Sequence, residues 1–188
     1  MIAYMGATPS EIMHCENFID RQGNIWASFD NAVYQITFSK ADYHIYKKVG
    51  DAAGTDFTGD VRCITRLKDG TFLVGTKARQ LIRYSKECSF MGFINQQGKM
   101  QLQAAEFLGS AYNVQQDSYG RLWIGLRTKG LVCIDKPFTS QQKLYHYQNQ
   151  DTPRLPKNQV FDLHLSAKTG WLWIATWGEG VVFIDTRS

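Results

Sequence analysis

The chain has 188 residues, 44% hydrophobic and 13% aromatic, enough for one medium-sized domain with a real core. Its formal charge of +4 is mild and not gathered into one basic patch, which argues against a nucleic-acid binder. No apolar run reaches the roughly 18 residues of a membrane-spanning helix, and the opening "MIAYMGATPS" lacks the basic start and long apolar centre of a signal peptide.

Read in chain order, one pattern occurs four times: "RQGNIWASFDNAVYQITFS" from Arg21, "KDGTFLVGTKARQLIRYS" from Lys68, "SYGRLWIGLRTKGLVCID" from Ser118 and "KTGWLWIATWGEGVVFID" from Lys168. The aligned glycines are Gly23, Gly70, Gly120 and Gly170, spaced 47, 50 and 50 residues apart. Each closes a tight turn that needs a positive φ. An apolar run such as "LWIGL" follows, fit for a strand buried on both faces. Then come a polar turn and a second apolar run such as "GLVCID".

A strand precedes each glycine ("IMHCENFID", "DVRCITRLK", "YNVQQDS", "QVFDLHLS"), and another follows the second run in three copies ("DYHIYKKV", "FMGFIN", "KLYHYQ"). The repeat is thus four strands, A to D. "KMQLQAAEFLG" is the one segment that reads as a short helix. Four-stranded units at this period predict an all-β chain of about four β-propeller blades, which either close into a small ring or form a slice of a larger propeller. The blades span about 12–50, 60–96, 111–148 and 159–188, with residues 1–6 as an outer strand that closes the last blade of a small ring or, in a larger one, pairs elsewhere. Trp26, Trp123 and Trp173 recur at one strand position, with Phe72 taking it in the second copy, and are expected to pack between blades. The four cysteines (Cys15, Cys63, Cys88, Cys133) form no CxxC pair, so no zinc site is expected, and one disulfide stays open as an alternative to buried thiols.

Tyr145 to Asp185 and Gln115 to Asp135 resemble the two-component regulator propeller repeat, an outer strand with "hY", a loop "LPxNxV", then D-x-x-G-x-L-W-I-G-T-x-x-G-L-x-x-(I/F)-D. The second blade carries "FLVGT" and the first "IWASF" where that family has "LWIGT". The resemblance implies the periplasmic sensor region of an inner-membrane hybrid histidine kinase, from bacteria that digest complex glycans. It implies a ring of nearer seven blades of which this chain is a fragment, no kinase chemistry in this chain, no cofactor and no metal, with the remaining blades and domains of a parent protein as partners.

Propeller topology puts the B–C and D–A loops on one face, where function usually sits on loops held by a rigid frame. Lys77 and Arg79, with Arg127 and Lys129, occupy two adjacent B–C loops there; Trp177 and Glu179 occupy the next. Guanidinium forks grip carboxylates and sulfates, and an indole stacks on a sugar ring. Together they are the candidate site for an acidic oligosaccharide. The competing view takes them as solvated turn residues, with Trp177 capping the barrel mouth. A propeller lyase or hydrolase is the enzymatic alternative. Among His14, His44, His146 and His164, its best set is His164 with Asp162, two residues apart on one strand face, and Glu179 above. A protein-binding scaffold, or a homodimer through open sheet edges, is the third reading.

Overall fold

Turn chemistry fixes the first hairpin of every repeat. Gly23, Gly70, Gly120 and Gly170 have φ between +71° and +86°, the left-handed region that costs a side-chain-bearing residue energy. The computed structural model describes residues 17–29, 32–36, 43–46, 60–149 and 155–187, and the strands it places there follow the repeat. Blade I is β1 (Asn17–Ile19), β2 (Ile25–Phe29), β3 (Ala32–Ile36) and β4 (Tyr43–Tyr46). Blade II is β5 (Val61–Arg66), β6 (Phe72–Thr76), β7 (Leu81–Tyr84), β8 (Phe90–Ile94) and β9 (Met100–Gln101). Blade III is β10 (Ala111–Gln116), β11 (Leu122–Leu126), β12 (Gly130–Asp135) and β13 (Lys143–Tyr147). Blade IV is β14 (Val160–Leu165), β15 (Trp171–Thr176) and β16 (Gly180–Asp185). Each is a separate antiparallel sheet with its strands in sequence order. The outer strand expected at residues 1–6, with His14 and Cys15, lies outside the described residues.

The helix expected at "KMQLQAAEFLG" does not form. Asn95 turns the chain at Gly98 (φ +79°) by accepting the amides of Gln97 and Lys99 through its side chain. Met100 and Gln101 then pair with Ile94 and Phe93 as a fifth strand. That extends the second sheet beyond the expected end at residue 96. The segment's aromatic anchor, Phe107, drops fully into the core, so burial of one ring outweighs a weak local helix preference.

The first strands of blades II, III and IV lie against one another and form the inner edge. Thr65 Oγ1 donates to the Val114 carbonyl at 2.8 Å, and Gln115 Nε2 to that of Leu163 at 3.2 Å. Between the sheets, apolar faces interlock by one rule. The position three residues after the turn glycine points toward the next blade: Trp26, Trp123 and Trp173. In blade II that position is Leu73, opposite Thr65 as Trp123 is opposite Gln115, and not Phe72. Phe72 points the other way and packs on Trp26 of blade I, ring centroids 4.7 Å apart. In blades I to III the following blade covers this residue with two apolar side chains three apart on its first strand and one opening its second. Val61, Ile64 and Phe72 lie in the core cluster of Trp26. Ala111, Val114 and Leu122 cluster with Leu73. Val160, Leu163 and Leu172 cluster with Trp123.

Close approach explains the glycine of "LVGT" and "LWIGL". A Cβ on Gly125 would sit 2.6 Å from Val160 Cγ1, and one on Gly75 would sit 2.8 Å from Ala111 Cβ. Gly125→Ala therefore costs about 1–3 kcal/mol by forcing blades III and IV apart, measurable by urea denaturation. Blade IV already carries Ala175 at this place, on a face no described residue of a fifth blade covers.

Candidate functional site

The turns between second and third strands and the loops leading into the first strands do share a face. The Lys77 amide donates to the Asp60 carbonyl, Arg127 to Ser110, Gly130 to Asn158 and Trp177 to Gln159. Within this face the six side chains singled out from sequence do not converge as one cluster. Arg79 turns aside to Glu106 in an exposed ion pair, with its own φ at +62° and its carbonyl accepting the Phe107 amide. Lys129 lays its aliphatic carbons toward Gly109, about where a Cβ of that glycine would touch, and its carbonyl meets His146 Nε2. Glu179 pairs with Lys157 at 3.0 Å.

The remaining three, Lys77, Arg127 and Trp177, are joined by residues the sequence reading passed over. Each first strand of blades II to IV has a register irregularity after its opening residue, between Val61 and Cys63, Ala111 and Asn113, and Val160 and Asp162. A bulge re-aims the side chain it leaves unpaired, here Arg62, Tyr112 and Phe161. The three form a ladder from blade to blade. The Arg62 guanidinium carbon lies 5.8 Å from the Tyr112 ring centroid, Tyr112 lies 5.4 Å from Phe161, and Phe161 lies 5.0 Å from Trp177. Arg127 also reaches Tyr112, at 5.9 Å. At the blade II end Asp60 accepts Arg62 Nη2 at 3.2 Å and faces Lys77 Nζ at 3.6 Å. Arg62 Nε is buried without a hydrogen-bond partner. Phe161 and Trp177 are exposed. The rim thus offers aromatic faces with the Arg127 guanidinium beside them, while Arg62, largely buried, is held by Asp60 beneath. The signal that could have found it is the residue after each opening apolar residue, Val-Arg, Ala-Tyr and Val-Phe in successive repeats.

Of the enzymatic set, Asp162 and His164 share one face of β14, opposite Ala175 and Trp173; Asp162 accepts Asn113 Nδ2 and the Leu163 amide, and Glu179 is held by Lys157. Among the described residues, no group of three or more His, Cys, Asp or Glu could hold a metal ion. Burial pushes the Cys133 thiol up to about 12, so it stays protonated and inert at neutral pH.

Away from the rim, carboxylates organise the opposite turns. Burial pushes Asp20 up, but hydrogen bonds from Trp26, Asn24 and Gln22 outweigh it and leave Asp20 below its ordinary value. Asp69 is likewise raised by burial and lowered further by Thr71 and Arg83. A carboxyl depressed in the folded state stabilises fully above its unfolded value, and that contribution is lost as pH falls through the folded one. The melting temperature is therefore expected to fall below about pH 4, and less steeply in Asp69→Asn, as followed by circular dichroism.

Four sheets of this strand order, stacked in sequence around a common inner edge, are blades of a β-propeller. No protein-family model matches the chain, and no curated protein matches it. Solved structures share its fold. The extracellular domain of BT3049 from B. thetaiotaomicron, assigned as a hybrid two component system, superposes with a TM-score of 0.66 at 15% identity, over 92% of this chain and 23% of that one. PorZ, a surface component of the type-IX secretion system of Porphyromonas gingivalis, gives 0.63 at 10% identity, over 92% and 32%. The Cps50 β-propeller domain of Myceliophteria thermophila gives 0.64 at 9% identity, over 93% and 52%. The chain shares the propeller fold of these structures and spans a quarter to a half of their lengths.

Proposed function

We propose that this chain is a sensing segment of an extracytoplasmic propeller, the periplasmic part of a hybrid two-component protein, which recognises an acidic oligosaccharide released from a glycan and does no chemistry itself. The observation that carries this reading is the rim ladder of Arg62, Tyr112, Arg127, Phe161 and Trp177. Aromatic faces stack on the apolar faces of sugar rings, and guanidinium groups hold carboxylates or sulfates in bidentate fashion. The resemblance in fold to the extracellular domain of BT3049 supports the sensing role. The carboxylates of the enzymatic alternative are engaged with Asn113 and Lys157, which favours binding over catalysis.

Isothermal titration with uronic-acid disaccharides and their neutral counterparts tests it. The acidic sugars are expected to bind, with affinity that weakens as salt rises. Arg127→Ala is expected to lower affinity about tenfold, the effect of losing one charge-assisted hydrogen-bond pair. Equal binding of neutral and acidic sugars, or an unchanged affinity in both Arg127→Ala and Arg62→Ala, would refute the assignment.

A further inference from the structure

One guanidinium stands where the other repeats put uncharged side chains. Arg83 lies opposite Leu73, as Cys133 lies opposite Trp123 and Phe183 opposite Trp173. In blade I the place is Gln35. Arg83 is only 9% exposed, at the seam between blades II and III, and a charge buried there is costly unless it is paired. Asp69 takes its Nη2, and Thr71 Oγ1 accepts Nε at 3.2 Å. Among the described residues the third nitrogen, Nη1, meets only the thioether of Met100, at 3.7 Å, and a thioether is a weak acceptor. The guanidinium is thus fixed in place with its outer end short of an acceptor.

The loop 136–142 of blade III closes over it. The Arg83 guanidinium carbon lies 3.7 Å from the centroid of the Phe138 ring. Lys136 and Phe138 hold φ of +46° and +66°, a strained conformation for residues with side chains. Thr139 Oγ1 braces the loop by donating to the Lys136 carbonyl at 2.8 Å. Gln142 accepts the Phe138 amide at 3.3 Å and donates to the Gln97 carbonyl of blade II at 3.1 Å. Between this loop and blade II lies a cavity of about 290 Å³, lined by Arg83, Lys99, Met100, Phe138, Thr139 and Gln142. That is near the small end of the roughly 300–1,000 Å³ of ligand pockets. Lys99 is exposed and enters no ion pair among the described residues. Asp69 offsets Arg83, so Lys99 leaves the cavity with one positive charge in excess.

We infer that this cavity binds a small organic monocarboxylate, its oxygens shared between Arg83 Nη1 and the Lys99 ammonium and its apolar body set against Phe138 and Met100. A carboxylate matches the single surplus charge and supplies the acceptor that Nη1 lacks. Asp69 and Thr71 belong to a turn between first and second strands, so the cavity lies on the face opposite the rim. The inference goes beyond the sensing proposal and does not rest on it.

Butyrate and its neutral isostere butyramide, titrated into the chain labelled with 13C-methyl methionine, test it by NMR. The Met100 signal is the one absent from Met100→Leu. Butyrate is expected to move that signal along a saturable curve, and butyramide to leave it in place. Lys99→Ala, a change at an exposed side chain, is expected to weaken butyrate binding about tenfold. A Met100 signal that stays still with butyrate, or moves equally with butyramide, would overturn the inference, as would an unchanged affinity in Lys99→Ala. A drift that never saturates and that sodium chloride reproduces would overturn it too, by assigning the shift to ionic strength.

Discussion

Trp123→Ala lowers stability by about 3–5 kcal/mol, whereas the same substitution at Trp173 lowers it by less than about 1 kcal/mol. The two tryptophans hold the same position in successive repeats, opposite Gln115 and His164 on their first strands. Only their surroundings differ. Trp123 is enclosed by Val160, Leu163 and Leu172 of blade IV, so truncation leaves a cavity between two rigid sheets. Trp173 loses mainly its contacts with Trp171 and Phe183 on an open face. Urea denaturation of the two variants measures the difference, and equal losses would mean that blade IV is as covered as blade III.

Asp117→Ala is expected to cost about 3 kcal/mol or more, lowering the melting temperature by about 6–12 °C in a chain of this size. Asp117 is fully buried. Its carboxylate accepts the Trp123 indole at 2.9 Å, Arg121 Nε at 2.6 Å, and the backbone amides of Tyr119 and Arg121 at 2.9 Å each. Removing it strands a buried indole N–H and a guanidinium whose other end bonds the Thr186 carbonyl of blade IV. Asp117→Asn, which keeps the shape and loses the charge, is expected to lie between Ala and the native residue. Scanning calorimetry of the pair separates these contributions.

The same carboxylate shows how far the repeat could be read from residue types. Asp20 accepts the Trp26 indole at 3.0 Å, as Asp117 does that of Trp123. In blade II the strand position is Leu73, which has no N–H to satisfy, and the carboxylate's place is taken by buried Leu67. In blade IV, where Trp173 is open to solvent, that place is Ser166. A buried tryptophan needs an acceptor; a buried leucine or an exposed tryptophan does not. Counting three residues from the glycine instead of matching aromatic to aromatic would have put Leu73, not Phe72, beside the tryptophans.

Strand order and turn glycines were legible because period and φ requirements are local. Arg62, Tyr112 and Phe161 were not, because a bulge breaks the alternation by which inward and outward residues are told apart. The scatter of the four basic residues was also hidden, since Asp60 and Glu106, which draw Lys77 and Arg79 apart, come from loops whose course the sequence does not reveal. The fifth strand β9 was missed for a related reason. Its two residues pair only because the Asn95 to Gly98 turn brings them back onto β8.

Blades I to III are each covered by the next, while the face of blade IV around Trp173 stays open. Fluorine NMR of the chain labelled with 5-fluorotryptophan reads all five tryptophans at once. In dilute solution the Trp173 and Trp177 signals are expected to show a full solvent-isotope shift, and those of Trp26 and Trp123 none. A Trp173 signal as shielded as that of Trp123 in a monomer would mean that the four sheets close on themselves, and the open arc would be wrong.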